Sequence, residues 1–282
     1  MSRRADAWLA WSLWGLSLTL TVVALMLLAL IRSHPNTHVF DWGVSTALTV
    51  IDVTVGAILV SRRPKNPIGW LLLLGGLAIC INHFSAQYAI YALLAQSGSL
   101  PAGKAMAWIS SWFLPIYSGL QVLYLLLFPT GQLSRSRWRW VAWLSVAYID
   151  RSNPLSVLFR SLPGLSWSDP VSARDRGFTN VHKAILYSMV PLLYVAATLS
   201  VSMRLRRAVG VERQQIKWFA YIDAPFAIGV VLVVIPLAID IPPWYKGAAT
   251  AVFAAISPAI PISIGAVWGR NHILEDRFRA LG

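Results

Sequence analysis

Charge is scarce in this sequence. Charged residues make up 12% of its 282 residues, whereas 57% are hydrophobic and the mean hydropathy is +0.61. A soluble domain normally carries about twice that charged share. The longest polar stretch, residues 151–183, is too short to bury a sizeable core of its own. We therefore predict one membrane domain over residues 1–275 and a short cytoplasmic tail over residues 276–282.

Cysteine is almost absent, and motifs for catalysis or metal binding are missing. Cys80 is the single cysteine, so no disulfide can form within the chain, and no Cys/His spacing suits a metal. No HExxH motif, glutamate pair or Ser/Lys dyad is visible at a workable spacing. We expect no enzymatic activity, no cofactor and no metal, and an intramembrane enzyme is the least favoured function.

Negative charge is particularly scarce, with 11 acidic residues against 24 basic ones and a net charge of +13. The basic residues lie in short clusters between apolar spans, not in one patch or tail. Such clusters are typical of loops that stay in the cytoplasm, where anionic lipid also attracts them. The expected partner is therefore the lipid bilayer and not nucleic acid.

Long apolar runs are plentiful, and each run of about 20 residues can cross a bilayer as a helix. The spans are predicted at residues 8–31, 42–60, 68–91, 105–128, 184–203, 218–239 and 248–268, with a short one at 138–149. The basic clusters fall on one side of the membrane only if the short run also begins a crossing. The sequence thus predicts an all-α bundle of about eight transmembrane helices with both termini in the cytoplasm.

The short span over residues 138–149 departs from the others in length. Its helix would rise about 18 Å, whereas the hydrocarbon core is about 30 Å thick. Asp150 and Arg151 could pair within the outer half of the bilayer, or neighbouring helices could shield a short helix. A local deletion of part of the span is the third alternative.

Three basic turns between the spans have specific local chemistry. Asn66 can cap the helix that follows it, with Pro67 at the first helical position. Pro129 ends a helix, and Gly131 turns the chain. Gly210 suits a helix C-terminus, and Glu212 suits the first turn of the next helix. The motif residues are Arg62, Arg63, Pro64, Asn66, Pro67, Gly69, Trp70, Pro129, Gly131, Gly210, Glu212, Arg213, Gln214, Lys217 and Trp218.

Each turn alone has the composition of an ordinary basic loop, but the three together are more specific. RRPKNPIGWLL over 62–72, LLLFPTGQL over 125–133 and GVERQQIKWFAY over 210–221 occur in this order. The chain thereby resembles, over about residues 1–275, the multi-span N-terminal membrane region of a group of bacterial sensor histidine kinases. The resemblance implies a multi-pass protein of the bacterial inner membrane that acts in two-component signal transduction.

The kinase part of that family is not visible here. Residues 270–277 only loosely echo the linker that follows the last helix in the family, and no ATP-binding motif appears. None of the five histidines lies in the context of a phosphoacceptor helix. We expect a membrane sensor or regulatory module without its own transmitter: a stand-alone relative, a truncated gene product or a subunit that acts on a separate kinase. The resemblance also implies a dimer, because the kinases of that family work as dimers.

Four polar residues are predicted to lie at a similar depth in the membrane: Asp52, Gln121, Asp223 and Ser263. Each lies about 8 to 12 Å from the inner end of its span at 1.5 Å per residue. Ionisable residues inside a membrane often mark functional sites. We predict that the four form one polar layer that acts as a switch or small-ligand site. Alternatively, each of them satisfies a neighbouring backbone group or extends its polar end to the membrane surface.

Two glycines and two deeper polar residues complete this part of the prediction. Gly75 and Gly76, at the depth of the polar layer, would let a neighbouring helix approach closely. Asn82 and His83 lie about 10 Å deeper than Asp52 and are not grouped with it.

A small membrane transporter or channel is the alternative function. It would use Asp52 together with the proline-broken spans 218–239 and 248–268 as a translocation path. The sequence shows no internal repeat of the transporter type, which favours the sensor over the transporter.

Overall fold

The computed structural model describes residues 3–32, 39–95, 100–133, 138–151, 173–238 and 242–267. Every regular element within these ranges is a helix. They are α1 (Arg3–Leu30), α2 (Val39–Arg62), α3 (Pro67–Ile90), α4 (Gly103–Leu127), α5 (Arg139–Arg151), α6 (Ala173–Leu205), α7 (Gly210–Ala238) and α8 (Pro243–Ile256). A π-helical turn, Tyr91–Ala95, extends α3, and the chain is helical again over 259–267 after a turn at 257–258.

Seven helical segments of the described chain are long and apolar enough to cross a membrane. They are α1, α2, α3 with its π-helical turn, α4, α6, α7, and α8 together with 259–267. These segments correspond to the seven full spans predicted from the sequence. The prediction of an all-α membrane bundle is therefore confirmed.

The short predicted span, 138–149, forms α5, a helix of 13 residues that is not among the seven membrane-length helices. It packs against α4 and α6. One alternative for the short span is an ion pair between Asp150 and Arg151, but their side chains lie outside the part of the chain that the structure describes. The predicted tail over 276–282 also lies outside it.

The helices pack in a closed ring. α2 packs on α3, α3 on α4, α4 on α6, α6 on α7 and α7 on α8, and α8 returns to contact α2. α1 lies outside this ring against α2 and α3. A ring of six helices leaves an interior that side chains from all of them can reach.

Glycine brings α2 and α3 unusually close together. A Cβ added to Gly76 would lie 2.5 Å from Val53 Cγ1 and 3.0 Å from Asp52 Cβ, and one added to Gly56 would lie 2.5 Å from the Leu73 amide nitrogen. Small residues permit such contact between membrane helices. The predicted close approach is thus confirmed at Gly76. At Gly75 the nearest atoms lie 3.7 Å away on α4, an ordinary contact distance.

The first and second motif turns contact each other at one end of the bundle. Asn66 caps α3 through its Oδ1, which accepts from the Ile68 amide at 3.0 Å, and Pro67 begins the helix as predicted. Gly131 has a φ of +77°, a conformation that favours glycine. Its Cβ position is 3.1 Å from Asn66 Oδ1, so the second turn packs directly on the first.

The third motif turn contacts the second. Arg204, in the last turn of α6, donates from its two terminal guanidinium nitrogens to the carbonyl oxygens of Leu126 and Phe128. The Phe128 ring stacks on Phe219 of α7 with the ring centroids 3.9 Å apart. A cation suits the carbonyl end of a helix such as α4. We call this set of contacts, over residues 64–70 and 128–131 with Arg204 and Phe219, the turn cluster.

Gly210 differs from its predicted role. It has the left-handed φ of +59° expected of glycine, but it begins α7 and does not end α6. The chain turns over residues 206–209 after α6 ends at Leu205, so the helix end and the glycine are separated. Glu212 lies in the first turn of α7 as predicted, although its side chain lies outside the described part of the structure.

Candidate functional site

A chain of hydrogen bonds crosses the interior of the ring from α6 to α2. The Tyr194 hydroxyl donates to Gln121 Oε1. Gln121 Nε2 donates to the Tyr117 hydroxyl at 2.7 Å, and that hydroxyl donates to Asp52 Oδ2 at 3.2 Å. Tyr117 and Gln121 are four residues apart on α4, a spacing that places them on the same helix face. The polar groups of three helices are thereby linked, and the line of donors ends on a carboxylate.

Burial makes this chain energetically significant. Asp52 is 8% exposed, Gln121 3% and Tyr194 2%. Burying such groups without hydrogen bonds is costly, and bonding them to one another offsets much of that cost. The chain therefore constrains how α2, α4 and α6 sit relative to one another.

The hydrogen-bond chain borders a cavity of about 430 Å³. Side chains from all six helices of the ring line it, and α5 contributes Tyr148. The volume lies in the range of small-molecule sites in proteins. Its polar lining residues are Ser45, Thr49, Asp52, Asn82, His83, Tyr117, Ser118, Gln121, Tyr148, Tyr194, Thr250 and Ser257, and the remainder are apolar. The interior of the bundle can therefore hold a small organic molecule.

One carboxylate oxygen at this cavity has no partner. Asp52 Oδ1 is buried and makes no hydrogen bond with the residues that the structure describes. Asp52 lines the cavity as a residue, but Oδ1 is too enclosed to contact a molecule there unless the side chain rotates. Unsatisfied buried polar atoms are uncommon in native proteins, so the Asp52 carboxyl group is a candidate for bonding a ligand.

The structure brings together two of the four residues of the predicted polar layer. Asp52 and Gln121 are joined through Tyr117. Asp223 and Ser263 do not line the cavity. Ser263 donates to the Ile260 carbonyl of its own helical segment at 2.7 Å, and neither oxygen of the fully buried Asp223 carboxylate has a hydrogen-bond partner among the described residues. Depth along a helix fixes only the height of a residue and not the direction in which its side chain points.

Sequence reasoning missed several residues of the site. The sequence pattern does not point to Tyr117 or Tyr194, and it places Asn82 and His83 at a different depth from Asp52. All four line the same cavity as Asp52. The cavity runs along α2 from Ser45 to Asp52, which is about 10 Å of helix, and so spans both depths. The i, i+4 spacing of Tyr117 and Gln121 was the signal that could have revealed the polar face of α4.

The predicted turn residues lie away from the cavity, at the turn cluster and near it. Asn66, Pro67 and Gly131 form the contact between the first two turns. A Cβ added to Gly69 would lie 3.0 Å from Leu59 Cβ, so this glycine allows α2 and α3 to approach closely. The Trp70 indole donates to the Pro64 carbonyl at 2.9 Å. Pro129 is buried at the end of α4.

Other residues of the third turn face outward: Arg213, Gln214, Lys217 and Trp218 are exposed on α7. Arg62 is also exposed and Arg63 is partly exposed. The turn cluster thus combines a buried set of contacts with a basic outer surface.

Long apolar helices around an interior cavity with a few polar groups define the class: a polytopic α-helical membrane protein. Among the described residues, no group of three or more His, Cys, Asp or Glu side chains could hold a metal ion. No protein-family model, curated protein or solved structure matches the chain.

Proposed function

We propose that the chain is a membrane-embedded sensor or regulatory module of the bacterial inner membrane, similar in role to the input region of a two-component histidine kinase. The observation that carries this proposal is that α4 connects the cavity to the turn cluster. Tyr117 and Gln121 of α4 border the cavity, and the carbonyl oxygens of Leu126 and Phe128 at its end accept from Arg204.

The proposed mechanism is a shift of α4. Gln121 and Leu126 are five residues apart, or about 7.5 Å along a helix. A molecule in the cavity that displaces Tyr117 or Gln121 also displaces the end of α4, because a helix moves as a stiff unit. The movement alters the Arg204 contacts and the Phe128–Phe219 stack, and thus the basic surface beside them. Shifts of this kind, biased by a ligand, are a common form of signalling.

The proposed topology has eight crossings with both termini in the cytoplasm. The basic turn cluster then faces the cytoplasm, in accordance with the distribution of Lys and Arg. α5 begins the fifth crossing, and its contacts with α4 and α6 supply neighbours for a short helix. The output partner is a second copy of the chain or a separate kinase, and the chain has no catalytic activity of its own.

A distance measurement tests the role of α4. Spin labels at the exposed Thr130 and Val209, in a Cys80→Ser background, report the distance between the second and third turns by electron paramagnetic resonance in nanodiscs. Gln121→Leu breaks the hydrogen-bond chain at the cavity and is expected to shift this distance by about 2 Å. Gln87→Leu, which also removes a buried glutamine but at a site outside the cavity, is the matched control. An unchanged distance in Gln121→Leu would remove the proposed route.

The gene itself tests the output. We expect the DNA beyond the codon for Gly282 to encode, in frame or in an adjoining gene, a dimerisation helix and an ATP-binding domain. Unrelated neighbouring genes would leave the proposed sensor without a transmitter.

A transporter or channel is the second candidate, and one observation favours it. The last span is interrupted at Ser257 and Pro258, and both residues line the cavity. Interrupted helices at a central site are a feature of transporters. Vesicles loaded with a pH-sensitive dye distinguish the two functions. A proton flux that depends on Asp52 would support transport, whereas no flux above that of empty vesicles would support sensing.

A further inference from the structure

The lining of the cavity has an unusual charge balance. Asp52 is the one acidic residue among the described residues that line it, and none of them is a lysine or arginine. Asp52 is also the only one whose side chain is ordinarily ionised at neutral pH. A cation beside this buried carboxyl group would favour its ionised form, so the cavity and a cationic ligand suit each other.

The hydrogen-bond chain reinforces this polarity. From Tyr194 through Gln121 and Tyr117, each donor points towards Asp52. A ligand that bonds the Asp52 carboxylate must therefore supply a donor. An anion would be repelled by an ionised carboxylate, and a purely apolar molecule would give it no hydrogen bond.

Aromatic rings supply the second feature. Tyr117, Tyr148, Tyr194 and Phe253 all line the cavity. The faces of aromatic rings attract cations, most strongly where water is excluded. A carboxylate together with aromatic rings is a set of groups suited to an ammonium ion.

Size and lining exclude a bare metal ion as the natural occupant. A cavity of about 430 Å³ is much larger than one ion, and most of its lining beyond the polar residues is aliphatic. No group of three or more potential His, Cys, Asp or Glu ligands occurs in the described part of the chain. The occupant therefore has an apolar body.

We propose that the cavity binds an organic ammonium ion whose N–H group donates to the Asp52 carboxylate and whose apolar body, of roughly 10 to 20 non-hydrogen atoms, contacts the tyrosines and Phe253. This inference rests on the proposed function in taking the cavity as the input site, and it names the class of signal.

Three probes of nearly equal shape test the charge requirement. They are phenylbutylammonium, phenylbutanol and phenylbutanoate, titrated by calorimetry into the full chain in nanodiscs, with empty nanodiscs as the control for partitioning into lipid. We expect the ammonium to bind about tenfold or more tightly than the alcohol, because it adds a charge-assisted hydrogen bond. The carboxylate is expected not to bind. Equal binding of the ammonium and the alcohol would overturn the proposal, and so would a preference for the carboxylate.

Two matched variants test the role of Asp52. Asp52→Asn keeps the shape of the side chain and is expected to weaken ammonium binding about tenfold, while binding of the alcohol changes little. Asp223→Asn removes the second buried carboxylate of the described residues, which does not line the cavity, and is expected to leave both affinities unchanged. An unchanged ammonium affinity in Asp52→Asn would overturn the proposal. If Asp52→Asn does not fold, the three probes on the unaltered chain still decide the matter.

If the natural occupant were an inorganic cation, the results would differ from those expected above. Sodium or potassium at millimolar concentration would compete with the ammonium probe, and the apolar body of the probe would add nothing to its affinity. Tetraethylammonium, which has no N–H donor, would in turn bind as well as phenylbutylammonium if only charge mattered. Either result contradicts the proposed contact.

The ligand class and the sensor function can fail separately. Ammonium binding without any change in the distance between labels at Thr130 and Val209 would retain the ligand class and contradict the sensor. A change in that distance caused equally by the ammonium and the alcohol would retain the sensor and contradict the ligand class.

Discussion

Two buried tyrosines differ in whether their hydroxyl groups are hydrogen-bonded. Tyr194 and Tyr124 are 2% and 1% exposed, respectively. The Tyr194 hydroxyl donates to Gln121, whereas the Tyr124 hydroxyl has no hydrogen-bond partner among the described residues. A hydroxyl that is bonded and one that is not should respond in opposite ways to removal.

We expect Tyr194→Phe to lower the free energy of unfolding by about 1 to 3 kcal/mol, because it leaves a buried oxygen of Gln121 without its donor. Tyr124→Phe is expected to be neutral or slightly stabilising, since it removes a hydroxyl that is not bonded. Denaturant unfolding of both variants in detergent micelles measures the difference. Equal losses in the two variants would contradict the hydrogen-bond chain.

Arg204 is the residue on which the turn cluster most depends. Its guanidinium group bonds two carbonyl oxygens at the end of α4. We expect Arg204→Ala to destabilise the protein by about 3 to 6 kcal/mol, the magnitude of two hydrogen bonds to a charged group.

Two variants serve as controls for Arg204→Ala. Arg206→Ala removes an exposed arginine two residues away and should have little effect. Arg204→Lys should recover only part of the loss, because an ammonium group cannot reproduce the geometry of the guanidinium fork. The shift in melting temperature compares the three variants, and a similar shift for Ala at both positions would argue against the capping role.

At the scale of the helices, the contact between α2 and α3 determines where Asp52 lies. Gly76 faces Asp52 and Val53 at distances too short for any side chain, whereas its neighbour Gly75 faces α4 at 3.7 Å. The two glycines are adjacent in sequence but lie on different faces of α3. Substitutions at these positions therefore compare the α2–α3 contact with the α3–α4 contact.

We expect Gly76→Ala to destabilise the protein by about 1 to 3 kcal/mol, since the added methyl group overpacks the α2–α3 contact. Gly75→Ala should be nearly neutral or slightly stabilising, because alanine favours a helix and its methyl group has room. Unfolding in detergent measures both. A Gly76→Ala variant as stable as Gly75→Ala would show that α2 can move away from α3 without cost.

Helix positions were largely predictable from the sequence, and contacts between helices were not. Apolar runs of about 20 residues identified the seven membrane-length helices, and Asn66–Pro67 identified the start of α3. The apolar run at 138–149 located α5, but its length could not decide whether that helix crosses the membrane, because twelve residues are too few for a full span. Periodicity could not place Asp223 and Ser263 relative to Asp52, since the direction of a side chain depends on how each helix is rotated.

At the scale of the whole molecule, the ring of helices lines the cavity and brings the motif turns together at one end. The contact between Gly131 and Asn66 and the contacts of Arg204 with the end of α4 place three distant turns together. In the proposed topology, all three turns therefore lie on the same side of the membrane.

Labelling of single cysteines tests this topology. In a Cys80→Ser background, cysteines at Thr130 and Arg206 should react with an impermeant maleimide only when the cytoplasmic side is accessible. A cysteine at Ser161, between α5 and α6, should react from outside the cell. Cys80 is buried between Thr21 and Thr49, and serine is expected to replace it without loss of fold. Labelling of the Ser161→Cys variant from the cytoplasmic side would contradict the fifth crossing and the total of eight transmembrane crossings.

The sequence alone determined that this chain is an all-helical membrane protein, because hydropathy and the spacing of basic clusters depend only on the local order of residues. It also determined the local cap at Asn66, whose partners lie within two residues. Only the tertiary structure decided that Tyr194, 73 residues from Gln121, completes a path to Asp52. Such contacts depend on helix rotation and on close approach at glycines such as Gly76, which no local pattern encodes.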